Sequence, residues 1–376
     1  MKSIQQEKKG QLQIQFAWIF IIIVGVALLL FLFSIISSQA KTSDQKISIS
    51  LAKHFETILT TTGQESGTIK EYVVPLAEVE FTCDDQEGLY GFSVNDIAAR
   101  STKYDIIFSP KNLNSHTVYT WTQEWMAPYS VATFLYVTSN KHAYVFLNST
   151  SSFSKEIRTY FPKNFTQIEM YIDGTQLKNE PSKDLNYDHV TYVFTQDQIV
   201  KLKNAAFNPL EKDATILIIS KGSSISSIFS YGSAYYIDYI DFENLNTPPY
   251  TLELTSLPPS KKTAYLGKAG LYGAIFSETK SSYECTMNKA LFRYELLTLL
   301  QQEKINASST EISVYCKQPL GLLPGSPGAK QSLDQILVEI AKGVSYVPFE
   351  KLWDLQKELD TKNKALSVEG NCPLIY

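Results

Sequence analysis

The side chains of this chain that could do chemistry are four histidines, four cysteines, two short acidic clusters and a glycine triad. His54, His116, His142 and His189 are scattered and stand in no motif. A zinc hydrolase would show His-Glu-x-x-His on a helix, and a serine esterase Gly-x-Ser-x-Gly at its nucleophile; the sequence contains neither. Asp84, Asp85 and Glu87 form one acidic cluster, and Asp238, Asp241 and Glu243 the other. Calcium takes six or more oxygens from a defined loop, so both clusters read as solvated turns or strand ends, and no metal is expected. Trp121 and Trp125, in WTQEWMAPY, have the flat faces that stack a sugar, yet burial in the core is the stronger reading.

Nucleotide chemistry is no better supported. Gly267, Gly270 and Gly273 recur at every third residue, whereas the dinucleotide fingerprint needs its first two glycines one residue apart. They precede and enter AGLYGAIFS, which reads as an apolar strand, so close backbone packing is their expected role. No Gly-x4-Gly-Lys-Ser/Thr loop occurs to cradle phosphates. Lys221-Gly222-Ser223-Ser224 follows ATILIIS, at a strand end where α/β folds bind ligands, and reads as a turn. No catalytic constellation and no cofactor site emerge.

The elements that must position these residues begin with one that fixes location. From Phe16 to Ile36 the chain reads FAWIFIIIVGVALLLFLFSII, without a charge. At about 1.5 Å per residue, roughly 20 apolar residues cross a hydrocarbon core of about 30 Å. Ser34, the one polar side chain in the run, can bond back to a carbonyl of its own helix. A single membrane span is expected, with the lipid bilayer as its partner. Lys2, Lys8 and Lys9 against Glu7 precede the span, and Lys41, Lys46 and Asp44 follow it, a bias that places the N-terminus in the cytoplasm and the large remainder outside. A cleavable secretory signal would have an apolar region of about 7–15 residues ending in a small-x-small site. This segment is longer, although Ser38 and Ala40 near its end have that spacing.

On the other flank, Lys8-Lys9-Gly10-Gln11-Leu12-Gln13-Ile14-Gln15-Phe16 sets a basic pair and a glycine before a polar–apolar alternation that enters the span. This order resembles the class III signal of type IV pilins, most closely its archaeal pilin and archaellin form. The resemblance implies a cut between Gly10 and Gln11 that leaves the apolar helix attached to the mature chain. It also implies assembly with copies of the chain or other surface proteins through that helix. Many type IV pilins place Glu at the fifth mature position; here it is Gln15, which hydrogen-bonds but carries no charge. The resemblance covers residues 8 to about 36. Beyond them the chain resembles only large archaeal ectodomains, too loosely to carry residues across. After the span, Ile47, Leu51, Phe55, Ile58 and Leu59 recur at helical spacing up to Gly63. Two layouts fit: one unbroken pilin-like helix from about Leu12 to Thr62, or a span, a polar break at Ser37 to Ser43 and a separate amphipathic helix.

The rest predicts an α/β head. YVVPLAEVEFTC, YDIIFSP, TVYTWTQEW and VATFLYVTS are strand-like runs between Tyr72 and Val137. From about Ala143 strands alternate with helices: AYVFLN, FTQIEMYI, HVTYVFT, ATILIIS and YYIDYIDF as strands, SSFSKEIRTYF and DQIVKLKNAAF as helices. MNKALFRYELLTLLQQEKI adds a helix, and two more near Gln331–Lys342 and Pro348–Leu366 follow a Gly/Pro-rich loop from Gln318 to Ser332. Such alternation implies a mainly parallel sheet covered on both faces. The expected organisation is a leader at 1–10, a span at 11–37, a membrane-proximal helix at 38–63, a β-rich part at 64–140 and an α/β part at 141–376.

Composition and cysteines agree with an exterior location. A net charge of −4 without a basic run speaks against a nucleic-acid partner. The 23 tyrosines read as exposed surface, apolar area with a wet hydroxyl. Asn148, Asn164 and Asn306 match the N-glycosylation acceptor pattern. Cys83, Cys285, Cys316 and Cys372 all follow the span, and an even count in an oxidising compartment makes two disulfides. Three connectivities are possible; Cys285 and Cys316 bracket a helical stretch, which favours that pair and leaves Cys83 to Cys372. The expectation is a membrane-anchored, pilin-like surface protein acting in binding, adhesion or surface assembly. The alternative is a tethered extracytoplasmic hydrolase or transferase with the helix as a simple anchor.

Overall fold

Helix α1 runs from Ile4 to Gly63 without a break, about 90 Å of continuous helix. The computed structural model describes residues 4–376 except 64, 85–88, 97, 103–104, 149–151, 174–175, 180–186, 196–197, 199–213, 222–233, 242–261, 309–312, 324–327, 344–348, 369–371 and 373. No proline interrupts α1, and its hydroxyls turn back onto the helix: Ser37 donates to the Ser34 carbonyl at 3.0 Å and Thr57 to that of Lys53 at 2.9 Å. The polar break near Ser37 to Ser43 is therefore absent. Sequence polarity alone does not end a helix whose residues keep their backbone bonds.

The outer turns of α1 are held by the first two sheets. Strands β1 (Ile69–Val73), β5 (Ile106–Phe108), β7 (Thr117–Met126) and β8 (Ser130–Ser139) form one sheet, ordered β1-β7-β8-β5. Strands β2 (Glu78–Asp84), β3 (Leu89–Val94), β4 (Ala98–Ser101) and β6 (Asn112–Asn114) form the second, ordered β4-β3-β2-β6. Leu51, Ala52, Phe55, Ile58 and Leu59 pack against Phe92 and Val94 of the second sheet and Leu135 and Val137 of the first. Arg100 on β4 pairs with Glu56 at 3.6 Å, and Asn95 donates to Ser48 at 3.1 Å. Ile47, expected on this buried row, is 57% exposed; the head's cover begins at Ser48.

The third sheet has seven strands: β9 (His142–Leu147), β10 (Gln167–Asp173), β11 (Gln176–Asn179), β12 (His189–Thr195), β13 (Ala214–Lys221), β14 (Ala234–Asp241) and β15 (Lys262–Leu266). Their order is β11-β10-β9-β12-β13-β14-β15. The β10, β9, β12 and β13 pairings are parallel, but β11, β14 and β15 add antiparallel, so the sheet is mixed and not mainly parallel. Helices α2 (Ser152–Tyr160), α3 (Gly267–Phe276), α4 (Lys280–Ser308), α5 (Val314–Leu320), α6 (Ala329–Ile340) and α7 (Phe349–Val368) complete the described elements. The expected helix over DQIVKLKNAAF lies almost wholly outside the described residues.

Two readings change. AGLYGAIFS forms helix α3 and not a strand, with every residue from Ala269 to Phe276 buried. An element covered on all sides has no polar face, so its period carries no signal. The Gln318–Ser332 segment is helical at both ends: Gln318 to Leu320 close α5 and Ala329 to Ser332 open α6. Pro319 forgoes only the bond its own nitrogen cannot make, and Gly321, at φ +76°, caps the helix in the left-handed conformation that glycine tolerates.

The main core also reassigns the tyrosines. Tyr136, Tyr144, Tyr192, Tyr265, Tyr272, Tyr283 and Tyr294 are fully buried. Tyr136 donates to the Ala269 carbonyl and Tyr272 to that of Ile157, both at 2.8 Å. These two phenols thus bring large rings into the core with their hydroxyls satisfied. Burial pushes both phenols well above the ordinary tyrosine range. This core runs from Ile106 through the third sheet to Ile375, across the expected boundary at residue 140.

Phe55 is 1% exposed and meets the Phe92 ring edge-on at 5.3 Å. Truncating it leaves a void between α1 and the second sheet. Phe55→Ala is expected to lower unfolding free energy by about 3–5 kcal/mol, read by chemical denaturation of the full chain in detergent.

Candidate functional site

Trp18–Gln39 is the one candidate membrane span among the described residues, with a mean hydropathy of 3.3 and none of its window buried against the head. It is long and apolar enough to cross a membrane once. Gly10, Gln11 and Gln15 lie on the first turns of α1; only their backbone is among the described residues.

The disulfides differ from the favoured pairing. Cys83 bonds Cys285, and Cys316 bonds Cys372, so no cysteine is free. Cys285 lies inside α4, the very helix it was taken to precede, and faces β2; Cys316 lies on α5, level with the C-terminal segment. Spacing along the chain says nothing about which faces meet, which is why bracketing a helix misled. The first bridge closes 202 residues and the second 56. Chain entropy alone assigns them about 5 and about 4 kcal/mol.

Beside the first bridge a cleft of about 390 Å³ opens between the second sheet and the start of α4. Its wall is largely apolar and carries several hydroxyls, among them Ser109, Thr279, Ser281 and Thr286, together with Lys111, Lys289 and Glu278. Most of this polarity is already engaged. Lys289 donates to the Thr102 and Asp105 carbonyls at 2.8 and 2.5 Å and sits 4.6 Å over the Tyr90 ring. Thr286 donates to the Ile107 carbonyl at 3.3 Å.

Glu278, in the turn between α3 and α4, gathers two of the scattered histidines. One carboxylate oxygen accepts the Lys111 backbone N–H at 3.0 Å; the other faces His142 Nε2 at 3.4 Å and His189 Nδ1 at 4.0 Å. Its backbone carbonyl accepts Thr215 Oγ1 at 3.0 Å. Burial alone would raise this carboxyl, but the His142 hydrogen bond, the field of both histidines and the Lys111 N–H together hold it below the ordinary glutamate value. His142 and His189 face each other across the parallel register of β9 and β12, which no linear motif could reveal. His54 is exposed on α1, and His116 Nδ1 stands 3.3 Å from the Val74 carbonyl.

Ser139, His142 and Glu278 repeat the order of a hydrolytic triad, with Ser139 Oγ 2.9 Å from His142 Nδ1. The geometry gives it a different role. Ser139 is 1% exposed, also accepts the Lys141 N–H at 3.2 Å, and does not line the cleft, so no acyl group reaches its hydroxyl. The cluster pins the turn between β8 and β9.

The remaining candidates are structural or undescribed. Trp121 and Trp125 are core residues, the latter donating to the Leu266 carbonyl at 3.1 Å. A Cβ on Gly273 would lie 2.8 Å from the Phe108 ring, so close packing explains that glycine. Gly267, at φ +68°, turns β15 into α3. Asp85, Glu87, Glu243 and Gly222-Ser223-Ser224 lie outside the described residues. No group of three or more His, Cys, Asp or Glu side chains among the described residues could hold a metal. No family model, curated protein or solved structure matches the chain.

Glu278→Gln removes the charge that the histidines face. A carboxyl held low in the fold contributes stability above its unfolded value near 4.3 and loses it as pH falls through the folded value. The variant is expected to be less stable than wild type by about 2 kcal/mol at pH 6. That gap should close below about pH 4, as followed by denaturation at each pH.

Proposed function

We propose that the chain is a membrane-anchored, type IV pilin-like surface protein, with a cytoplasmic N-terminus and an exterior head that works in binding, adhesion or surface assembly. The observation that carries this reading is the double use of α1. One unbroken helix bears an exposed apolar span at Trp18–Gln39 and, a few turns later, a face buried in the head from Ser48 to Thr62. A simple anchor needs no such continuation, because a flexible tether would serve. A helix meant to set a head at a fixed height and rotation above the membrane needs both halves in one rigid piece. Two disulfides in the head are compatible with an oxidising exterior.

In this reading Gly10 and Gln11 flank the processing site and Gln15 is the fifth mature residue. Its uncharged amide would contact a neighbouring subunit by hydrogen bonds without an ion pair. N-terminal sequencing of the protein extracted from its native membrane tests the route, with Gln11 expected as the first residue. A start at Met1 points to a plain anchor and a start near Lys41 to release from the membrane; either overturns the proposal.

A further inference from the structure

The cleft beside the Cys83–Cys285 bridge holds polarity that the fold does not use. Its volume of about 390 Å³ falls within the roughly 300–1,000 Å³ of clefts that take small molecules. Buried hydroxyls normally find a partner, and several on this wall do. Ser277 donates to the Gly273 carbonyl at 2.9 Å, and the Thr279 and Ser281 hydroxyls meet at 3.1 Å. Thr102 and Ser109 break the rule. Both line the cleft and both are only 8% exposed, yet no hydrogen bond joins either hydroxyl to another of the described residues. Neither belongs to the His142–Glu278 cluster or to the bridge, so the fold gives these two hydroxyls no task. Such groups are satisfied from the cleft itself, by water or by a ligand that replaces it.

The charges on the wall narrow the ligand because each is already spent. Glu80 pairs with Lys111 at 3.3 Å. Lys289 is held by two carbonyls and the Tyr90 ring, and Glu278 by the Lys111 N–H and two histidines. An ionic ligand would lose its hydration here without gaining a counter-charge. What the cleft offers instead is neutral: hydroxyls that both donate and accept, and apolar wall from Phe81, Tyr90 and Ile107. A pyranose ring matches both features, since it carries hydroxyls of the same double capacity around an apolar C–H face. We propose that this cleft binds a neutral sugar of one or two rings, with Thr102 and Ser109 as hydrogen-bond partners. The inference gives a ligand class to the binding role proposed for the head and rests on that part of the reading. It is indifferent to where the N-terminus is cut, so the two experiments fail separately.

The test uses the full chain in a detergent without a sugar head group. It is titrated with a panel of neutral hexoses, N-acetylhexosamines and their disaccharides, followed by calorimetry and saturation-transfer NMR. At least one member is expected to bind with a dissociation constant of about 0.1–10 mM, the range open to a ligand of so few atoms. Glucosamine and glucuronic acid, its charged analogues, should bind about tenfold more weakly or worse. Thr102→Val with Ser109→Ala should weaken binding about tenfold, with the melting temperature unchanged or raised, because neither hydroxyl serves the fold. Thr82 is exposed on the cleft wall, and Thr82→Trp should fill the space and abolish binding while the circular dichroism spectrum stays unaltered. A panel that shows no binding up to about 50 mM overturns the proposal. So does a charged analogue that binds more tightly than the neutral sugars, or binding that survives Thr82→Trp. A double variant that keeps wild-type affinity, or that melts at a lower temperature, rejects Thr102 and Ser109 as ligand partners and the proposal with them.

Discussion

The structure depends on one helix that carries an uncovered apolar stretch long enough to cross a membrane and then a stripe packed into the head. In hydrocarbon every backbone N–H and C=O must find its partner within the segment, which only a continuous helix or a closed barrel provides. In the head the same ladder must present a stripe narrow enough to fit between two small sheets. Alpha-helical geometry meets both demands without a joint, so the polar residues between Gln39 and Ser48 stay helical. Phe55 illustrates the second demand. It sits where both sheets close on the helix, in contact with the Phe81 and Phe92 rings. The two sheets share no strand, so their common footing on α1 is part of what holds them in register with each other.

The head's second fixed point is the turn from α3 to α4. There the Glu278 carboxylate reaches the second sheet through Lys111 and the third through His142 and His189. A few residues later, Cys285 covalently ties α4 to β2. These contacts join a small, helix-clasping half to a large, tyrosine-rich half. The cleft beside them is the seam left where the two halves meet around these struts.

Legibility followed the periodicity of burial. The candidate membrane span was legible because length and absence of charge are read directly from the chain. Most strands were legible because β-branched and aromatic residues cluster between turn residues, as in HVTYVFT and VATFLYVTS. Helix α3 was not, since Ala269 to Phe276 are enclosed on all sides and no polar face marks a period of 3.6. The tyrosines were misplaced for a related reason: composition counts a hydroxyl as wet, whereas Tyr136 and Tyr272 hand theirs to main-chain carbonyls. The cysteine pairing and the meeting of His142 with His189 depend on which strands lie side by side, information that exists only in the fold.

The placement of the two bridges has a mechanical consequence. A pull between α1 and the end of the chain cannot draw out the residues enclosed by Cys83–Cys285 or Cys316–Cys372. Only the lengths before, between and after the bridges can be reeled out, on the order of 50 residues or about 170 Å. Without the bridges the same load could unravel roughly 1,000 Å of head. With both bridges closed, the head therefore yields slightly under load, then stops.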